Sequence, residues 1–240
     1  MTQTGMRVLV AGATGRTGRH VLARLAETPA TVRALTRAAD ERDDLLARGA
    51  DEVVVGDLLD SEDAREAVIG VDAVVSTVGS TPGMDTIRGT LVDGEGIVNL
   101  IDAATAAGVS RFVLCSSIGV GDSKDGIPLS MRAILTATGV LSAKDESESR
   151  LRESSLIHTI IRPGALTDAP ATGDVLVGEG GDSVSGSISR ADVADVLVRS
   201  LFTEATENRT FEIVSRLGLR NSPDRLVELP WGGPSVEPAD

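Results

Sequence analysis

The sequence predicts an α/β fold, doubly wound around a mainly parallel sheet, with a small C-terminal region on the substrate side. Three observations lead there. Apolar runs of strand length alternate with helical segments along most of the 240 residues, and strand, crossover helix, strand is the signature of parallel pairing. The chain is 41% hydrophobic but only 2% aromatic, so its core is made of Val, Leu, Ile and Ala, as in sheets covered by helices on both faces. Finally, Gly12, Gly15 and Gly18 fall within seven residues, between the first apolar run and the first helical segment.

The elements follow in order. "RVLVAG" (7–12) reads as a strand buried on both faces, and the pattern after the glycines as a helix over 16–26. "TVRALT" (31–36) is the second strand, 40–48 a helix closed by Gly49, and "EVVVGD" (52–57) the third strand. A helix over 61–69 leads to "DAVVST" (72–77), and another over 91–107, closed by Gly108, leads to "RFVLCSS" (111–117). One long helix is predicted over 131–153, before "HTIIRPG" (158–164). In "SISRADVADVLVRSLF" Ser189 can cap a late helix and Asp192, three residues on, can reach back as in a capping box. That helix and "TFEIVS" (210–215) fall outside the alternation and are assigned to the small C-terminal region. Residues 1–216 are read as a single domain and 217–240, rich in Pro, Gly and charge and carrying Trp231, as a loosely held tail.

Composition restricts the partners. The 23 basic and 36 acidic residues give a net charge of −13, whose field repels nucleic acid and anionic membranes. Only Lys124 and Lys144 are lysines, so the basic side is nearly all arginine, through either a GC-rich genome or a salt-adapted cytoplasm. With a single cysteine, Cys115, no Cys/His set of zinc spacing, no leader pattern and no run of membrane-spanning length, the expectation is a cytoplasmic protein without structural metal. A small-molecule substrate is expected, with a protein partner or homodimer as a further possibility.

The glycine turn carries the first chemical argument. A strand, a tight turn and a helix whose first N–H groups lack acceptors form a positively polarised hollow suited to a diphosphate. Gly12 takes the turn, Gly15 admits the anion and Gly18 lets helix and strand pack closely; a side chain at any of them is expected to occupy the ligand's space. The turn is not a P-loop, because no Gly-Lys-Ser/Thr follows. In dinucleotide sites the residue after the second strand selects the cofactor, and here it is Arg37, with no acid before Asp40. That favours NADP(H) over NAD(H), with Arg16 completing a two-arginine clamp on the extra phosphate.

At this point the sequence resembles the atypical branch of the short-chain dehydrogenase/reductase superfamily, the NAD(P)-binding Rossmann proteins with NmrA-like and flavin-reductase-like members. The carriers are "GATGRTG" (12–18), "GDLLD" (56–60), "VVSTVG" (74–79), "FVLCSSIGVG" (112–121), Lys144 with Glu148, "TIIRPGALTD" (159–168) and "ISRADVADVLV" (188–198). By that resemblance Thr14, Arg16 and Thr17 join the glycines around the dinucleotide. Asp57 and Leu58 border the adenine, and Ser76, Thr77, Val78 and Gly79 run beneath the riboses. Ser116 and Ser117 face nicotinamide and substrate, Lys144 donates to the nicotinamide ribose, and Pro163, Gly164, Ala165 and Leu166 wrap the carboxamide. Ser117 and Lys144 are the candidate catalytic residues.

One departure matters. The superfamily pairs its lysine with a tyrosine four residues earlier, which relays a proton to a carbonyl; here that position is Val140, and the chain contains no tyrosine. Hydride transfer still needs only a positioned nicotinamide, so an acceptor that stabilises its own anion, of flavin or quinone type, remains accessible. The expectation is therefore an NADPH-dependent oxidoreductase acting on a small conjugated acceptor. The alternative is a non-catalytic NADP(H)-sensing regulator or assembly factor, and sugar-nucleotide epimerase chemistry ranks last. His20 and His158 receive no role, Cys115 reads as a buried filler, Lys144 and Glu148 can pair at i, i+4, and Arg190 and Asp192 could touch a substrate, although capping accounts for Asp192.

Overall fold

The computed structural model describes residues 5–79 and 91–232. Its first strand, β1 (Arg7–Ala11), lies inside an eight-stranded sheet. The others are β2 (Thr31–Thr36), β3 (Glu52–Val55), β4 (Ala73–Ser76), β5 (Arg111–Cys115), β6 (Ile157–Pro163), β8 (Val175–Glu179) and β10 (Arg209–Ser215), in the spatial order β3-β2-β1-β4-β5-β6-β10-β8. Every pairing in it is parallel except β10 with β8. Short strands β7 (Ala165–Thr167) and β9 (Ser187–Ser189) form a separate parallel pair beside it. This is the doubly wound Rossmann-like architecture that the alternation predicts.

Period-two alternation sorts the strands' side chains into two cores. Val8 and Val10 face one side, packed with Val21, Leu22 and Leu25 of α1 (Arg16–Leu25) and Val193 and Leu197 of α7 (Arg190–Leu201). Leu9 and Ala11 face the other, with Ala64 and Ala67 of α3 (Ser61–Ala67), Ile97, Leu100 and Ile101 of α4 (Ile97–Ala106) and Leu151 of α6 (Val140–Glu153). The short α2 (Arg42–Ala47) adds Leu45 to the first core. Gly49 and Gly108 close their helices with positive φ, as expected.

Four expectations are corrected. The long helix over 131–153 is two, α5 (Leu129–Ala137) and α6, separated at Gly139, whose φ of 74° interrupts the helical path at a residue without a Cβ. The late helix and the strand at 210–215 belong to the main body: α7 packs on α1, and β10 extends the sheet beside β6, because its buried run Phe211–Ser215 can satisfy its backbone only in a ladder. Strands β7, β8 and β9 were not predicted, and two of them, at three residues, are too short to show a period. From 217 the chain is docked rather than loose. Leu219 and Leu226 bridge Gly186 and Gly178, Trp231 packs on the first core with Arg199 5.3 Å from its ring centre, and Gly232 N–H donates to Thr203 Oγ1 at 2.9 Å. Burial of part of the indole helps offset the entropy of ordering the segment. Residues 233–240 lie outside the described part.

Candidate functional site

The carboxyl ends of β1, β2, β4, β5 and β6 open onto two cavities that meet at Gly15, Thr77, Val78 and Gly79. Parallel strands put these ends on one edge, where an open α/β sheet offers a crevice.

The three glycines divide their work as the sequence suggests, but a side chain at Gly12 or Gly18 would meet backbone before any ligand. Gly12 has φ of 83°, and a Cβ there would lie 2.8 Å from the Thr77 carbonyl carbon. At Gly18 it would sit 2.1 Å from the Gly12 carbonyl oxygen. Both therefore exclude a side chain in favour of backbone rather than of ligand. Gly15, whose added Cβ would meet only the Gly12 carbonyl oxygen at 3.1 Å, is the one that opens to both cavities. It is also the N-cap of α1, so the N–H groups ahead of Arg19, which donates to the Gly15 carbonyl, have no acceptor within the helix.

The first cavity, about 340 Å³, is lined by Gly12, Thr14, Gly15, Arg37, Asp57, Leu58, Thr77, Val78 and Gly79 among the sequence candidates. Leu35, Thr36, Gly56, Leu59 and Val92 complete its wall and were not anticipated. Arg37 is exposed at the rim and has no ion-pair partner among the described residues. Asp57 is fixed from behind, its N–H donating to Asp63 Oδ2 at 2.7 Å and its own Oδ1 accepting from Leu59 N–H.

The second cavity, about 470 Å³, is lined by Arg16, Thr17, Ser116, Ser117, Lys144, Pro163, Gly164 and Leu166 of the candidates, together with the shared residues. Gly18, Ser76 and Ala165 line neither: Gly18 is buried under the turn, Ser76 is buried at the end of β4, and Ala165 lies exposed in β7. The expected clamp is not assembled. Arg16 lies at the second cavity, ion-paired to Asp168 at 2.7 Å, and Arg37 at the first.

Buried charge concentrates behind the second cavity. Lys144 Nζ lies 2.6 Å from Asp93 Oδ1, with both side chains almost wholly withdrawn from solvent. Burial alone would lower the Lys144 pKa, but the charge and hydrogen bond of Asp93 outweigh it and hold the amine above its ordinary value, firmly as an ammonium. Lys144 therefore pairs with Asp93 and not with Glu148. Glu148, one helical turn on, accepts from Ser116 Oγ at 2.5 Å, from Arg162 Nε and Nη2 at 3.0 and 2.7 Å, and from Arg152 Nη2 at 2.6 Å. Burial would raise its carboxyl pKa, yet the fork of Arg162 and the Ser116 bond bring it below the usual range. Ser117 donates its hydroxyl to the Ile118 carbonyl at 2.9 Å. Cys115 belongs to the cavity wall, and burial pushes its thiol up to about 11.

The sequence reading missed Asp93. It sits in a π-helical turn (Val92–Gly96) ahead of α4, in register with the buried Ile97, Leu100, Ile101 and Ala104. An acid on the apolar face of a helical pattern was the available signal. Asp192 only partly follows its capping expectation. Its N–H donates to Ser189 Oγ at 3.0 Å, while its carboxylate accepts from Ser189 Oγ and from Thr172 and Gly173 N–H. His158 lies buried at the far end of β6, away from both cavities, its pKa lowered by desolvation.

Residues 12–204 match the NAD(P)H-binding family. The chain belongs to that family. An uncharacterized chloroplastic protein of Arabidopsis thaliana is 36% identical over 219 residues, spanning 88% of this chain and 77% of its own length. Sanguinarine reductase of Eschscholzia californica is 28% identical over 253 residues, 88% of this chain and 89% of that protein. Among solved structures, a putative NAD-dependent epimerase/dehydratase from Bacillus halodurans superposes with a TM-score of 0.78 at 34% identity, covering 91% of this chain and 96% of its own. ChuY, an anaerobilin reductase of Escherichia coli O157:H7, superposes with a TM-score of 0.77 at 27% identity over 88% and 98% of the two chains. The resemblance to NAD(P)-binding Rossmann proteins is thus borne out. No helix among the described residues is long and apolar enough to cross a membrane.

Proposed function

We propose that the chain is an NADPH-dependent oxidoreductase that passes hydride to a small conjugated acceptor of flavin or quinone type. The observation that carries this is the pair of cavities joined at Gly15 and the Thr77–Val78–Gly79 segment, an elongated cleft along one sheet edge. A dinucleotide fits it with the adenosine in the first cavity, the diphosphate over Gly15 and the unpaired N–H groups of α1, and the nicotinamide in the second. When bound, the nicotinamide supplies the hydride.

The chain's own residues bind and orient. Arg37 stands at the end of β2, where a 2′-phosphate would lie, and supports NADP(H) over NAD(H). Asp57 and Leu58 wall the adenine side, and Thr77, Val78 and Gly79 form the floor. Lys144, kept cationic by Asp93, is placed to donate to the nicotinamide ribose. Ser116 and Ser117 turn β5 under the nicotinamide, with Ser116 anchored on Glu148. Pro163, Gly164 and Leu166 close the far side. Val140 stands where the superfamily tyrosine would be, so no phenol is available to protonate a carbonyl, and the acceptor must stabilise its own reduced anion. Reductases among the relatives support the same reading. Absence of tyrosine also favours a second reading, an NADP(H)-responsive regulator or assembly factor that binds the dinucleotide without turnover.

Calorimetric titration with NADPH and NADH is the first test, followed by NADPH oxidation against a panel of flavins and quinones. Tighter NADPH binding and turnover of at least one acceptor are expected. Failure to bind either dinucleotide would overturn both readings, whereas binding without any turnover would leave the regulator.

A further inference from the structure

Two arginines from distant parts of the chain meet at the mouth of the second cavity. Arg16 is the first residue of α1 and Arg190 the first of α7; both line the cavity, and Asp168, just beyond β7, ties them together. Its Oδ2 lies 2.7 Å from Arg16 Nη1 and its Oδ1 2.7 Å from Arg190 Nη1. Arg190 is the unusual member. Its side chain is only 12% exposed, and the Asp168 bond is its sole polar contact among the described residues. Withdrawing a guanidinium from water while engaging one of its donors is costly unless something else completes the set. Arg190 lines the cavity.

The charge balance points the same way. Lys144 is already neutralised by Asp93, and one carboxylate is shared between Arg16 and Arg190, so the mouth retains a positive charge in a chain whose net charge is −13. A cation at the mouth of a half-open, partly apolar hollow, with Leu135, Leu141 and Leu166 nearby, suits a ligand that is flat and apolar at one end and anionic at the other. We propose that Arg190, positioned by Asp168 and assisted by Arg16, selects acceptors bearing a carboxylate or phosphate. This rests on the oxidoreductase reading for the word acceptor, but the recognition itself is an equilibrium property and needs no turnover.

The test is binding to the full chain saturated with NADP+, so that the dinucleotide region is occupied. Two matched pairs serve as probes: FMN against riboflavin, and anthraquinone-2-carboxylate against 2-(hydroxymethyl)anthraquinone. Flavin or quinone fluorescence reports the dissociation constants. The anionic member of at least one pair is expected to bind about tenfold or more tightly, as for a charge-assisted bond to a partly buried guanidinium. Phosphate and carboxylate are told apart by which pair shows the larger ratio. In Arg190→Gln the ratio should fall to within about twofold of unity, and Arg190→Lys should restore part of it. Equal binding within both pairs, binding of none of the probes, or a ratio unchanged in Arg190→Gln would overturn the proposal. So would an NADPH affinity that falls in Arg190→Gln as far as the FMN affinity does, because Arg190 would then be serving the dinucleotide. Failure of NADP+ itself to bind would instead count against the oxidoreductase reading.

Discussion

The cavity at the ends of β1, β2 and β4 is walled by four glycines, Gly12, Gly15, Gly56 and Gly79, three threonines and five Leu or Val residues, and its only two charged residues among those described are Arg37 and Asp57. The cavity at the ends of β5 and β6 is walled by residues from eight separate elements and holds Arg16, Asp93, Lys144 and Arg190. The difference separates shape from chemistry. A backbone hollow presents N–H groups that any diphosphate can use, so it specifies a ligand class. A side-chain hollow with compensated charges can be retuned one residue at a time, so it is where members of one family diverge in substrate.

That contrast can be broken at several points. Gly18→Val should have the largest effect, because even the first added carbon would lie 2.1 Å from the Gly12 carbonyl oxygen. A loss of about 5 kcal/mol or more in urea unfolding is expected, with dinucleotide binding abolished. Lys144→Met should come next, since it removes the ammonium 2.6 Å from the buried Asp93 carboxylate, at a cost of about 3–5 kcal/mol. The double replacement Lys144→Met with Asp93→Leu should recover much of it, and additive losses would show that the two groups are not coupled.

Arg37→Asp tests the backbone cavity's margin. The ratio of NADPH to NADH affinity should drop about tenfold or more, while unfolding changes by less than about 0.5 kcal/mol because the residue is exposed. An unaltered preference would remove Arg37 from the cofactor site. Glu148 gives a pH signature. Its folded pKa lies below the unfolded value of about 4.3, so the stability it contributes is complete above that pH and is lost as pH falls through the folded pKa. Glu148→Gln should flatten the acid side of a stability profile below about pH 4.3; an identical acid slope would contradict the buried carboxylate. The smallest effect concerns Cys115, whose thiol burial raises to about 11. Iodoacetamide at neutral pH should modify it at least about tenfold more slowly in the native chain than in urea, as read by mass spectrometry.

Much of this was legible beforehand, and for physical reasons. Strand ends and the glycine turn are local: Gly12, Thr14, Gly15, Arg37, Asp57, Thr77 and Gly79 sit beside the apolar runs that generate the sheet, and parallel pairing brings those ends to one edge. Gly18 was read as the close-packing glycine, and an added Cβ there would lie 2.1 Å from the Gly12 carbonyl oxygen. Asp93 was missed although it falls on the apolar face of the α4 pattern, because its partner Lys144 lies on α6, 51 positions away. The separation of Arg16 from Arg37 could not be foreseen either, since the carboxylate holding Arg16 lies 152 positions away. Trp231 was legible as a residue but not as a clasp, because its partner Arg199, and Thr203 that holds the neighbouring Gly232, meet the tail only after α7 has packed.

The amino-acid sequence by itself determined the strand–helix alternation, the position of the diphosphate-type turn and the absence of a phenol from the whole chain, since each depends on residues within a few positions of one another or on composition. Tertiary structure alone decided which charges are neutralised. Asp93 with Lys144, Glu148 with Arg162, and Asp168 between Arg16 and Arg190 are pairings made across the sheet edge. Their strength depends on burial, which no local pattern encodes.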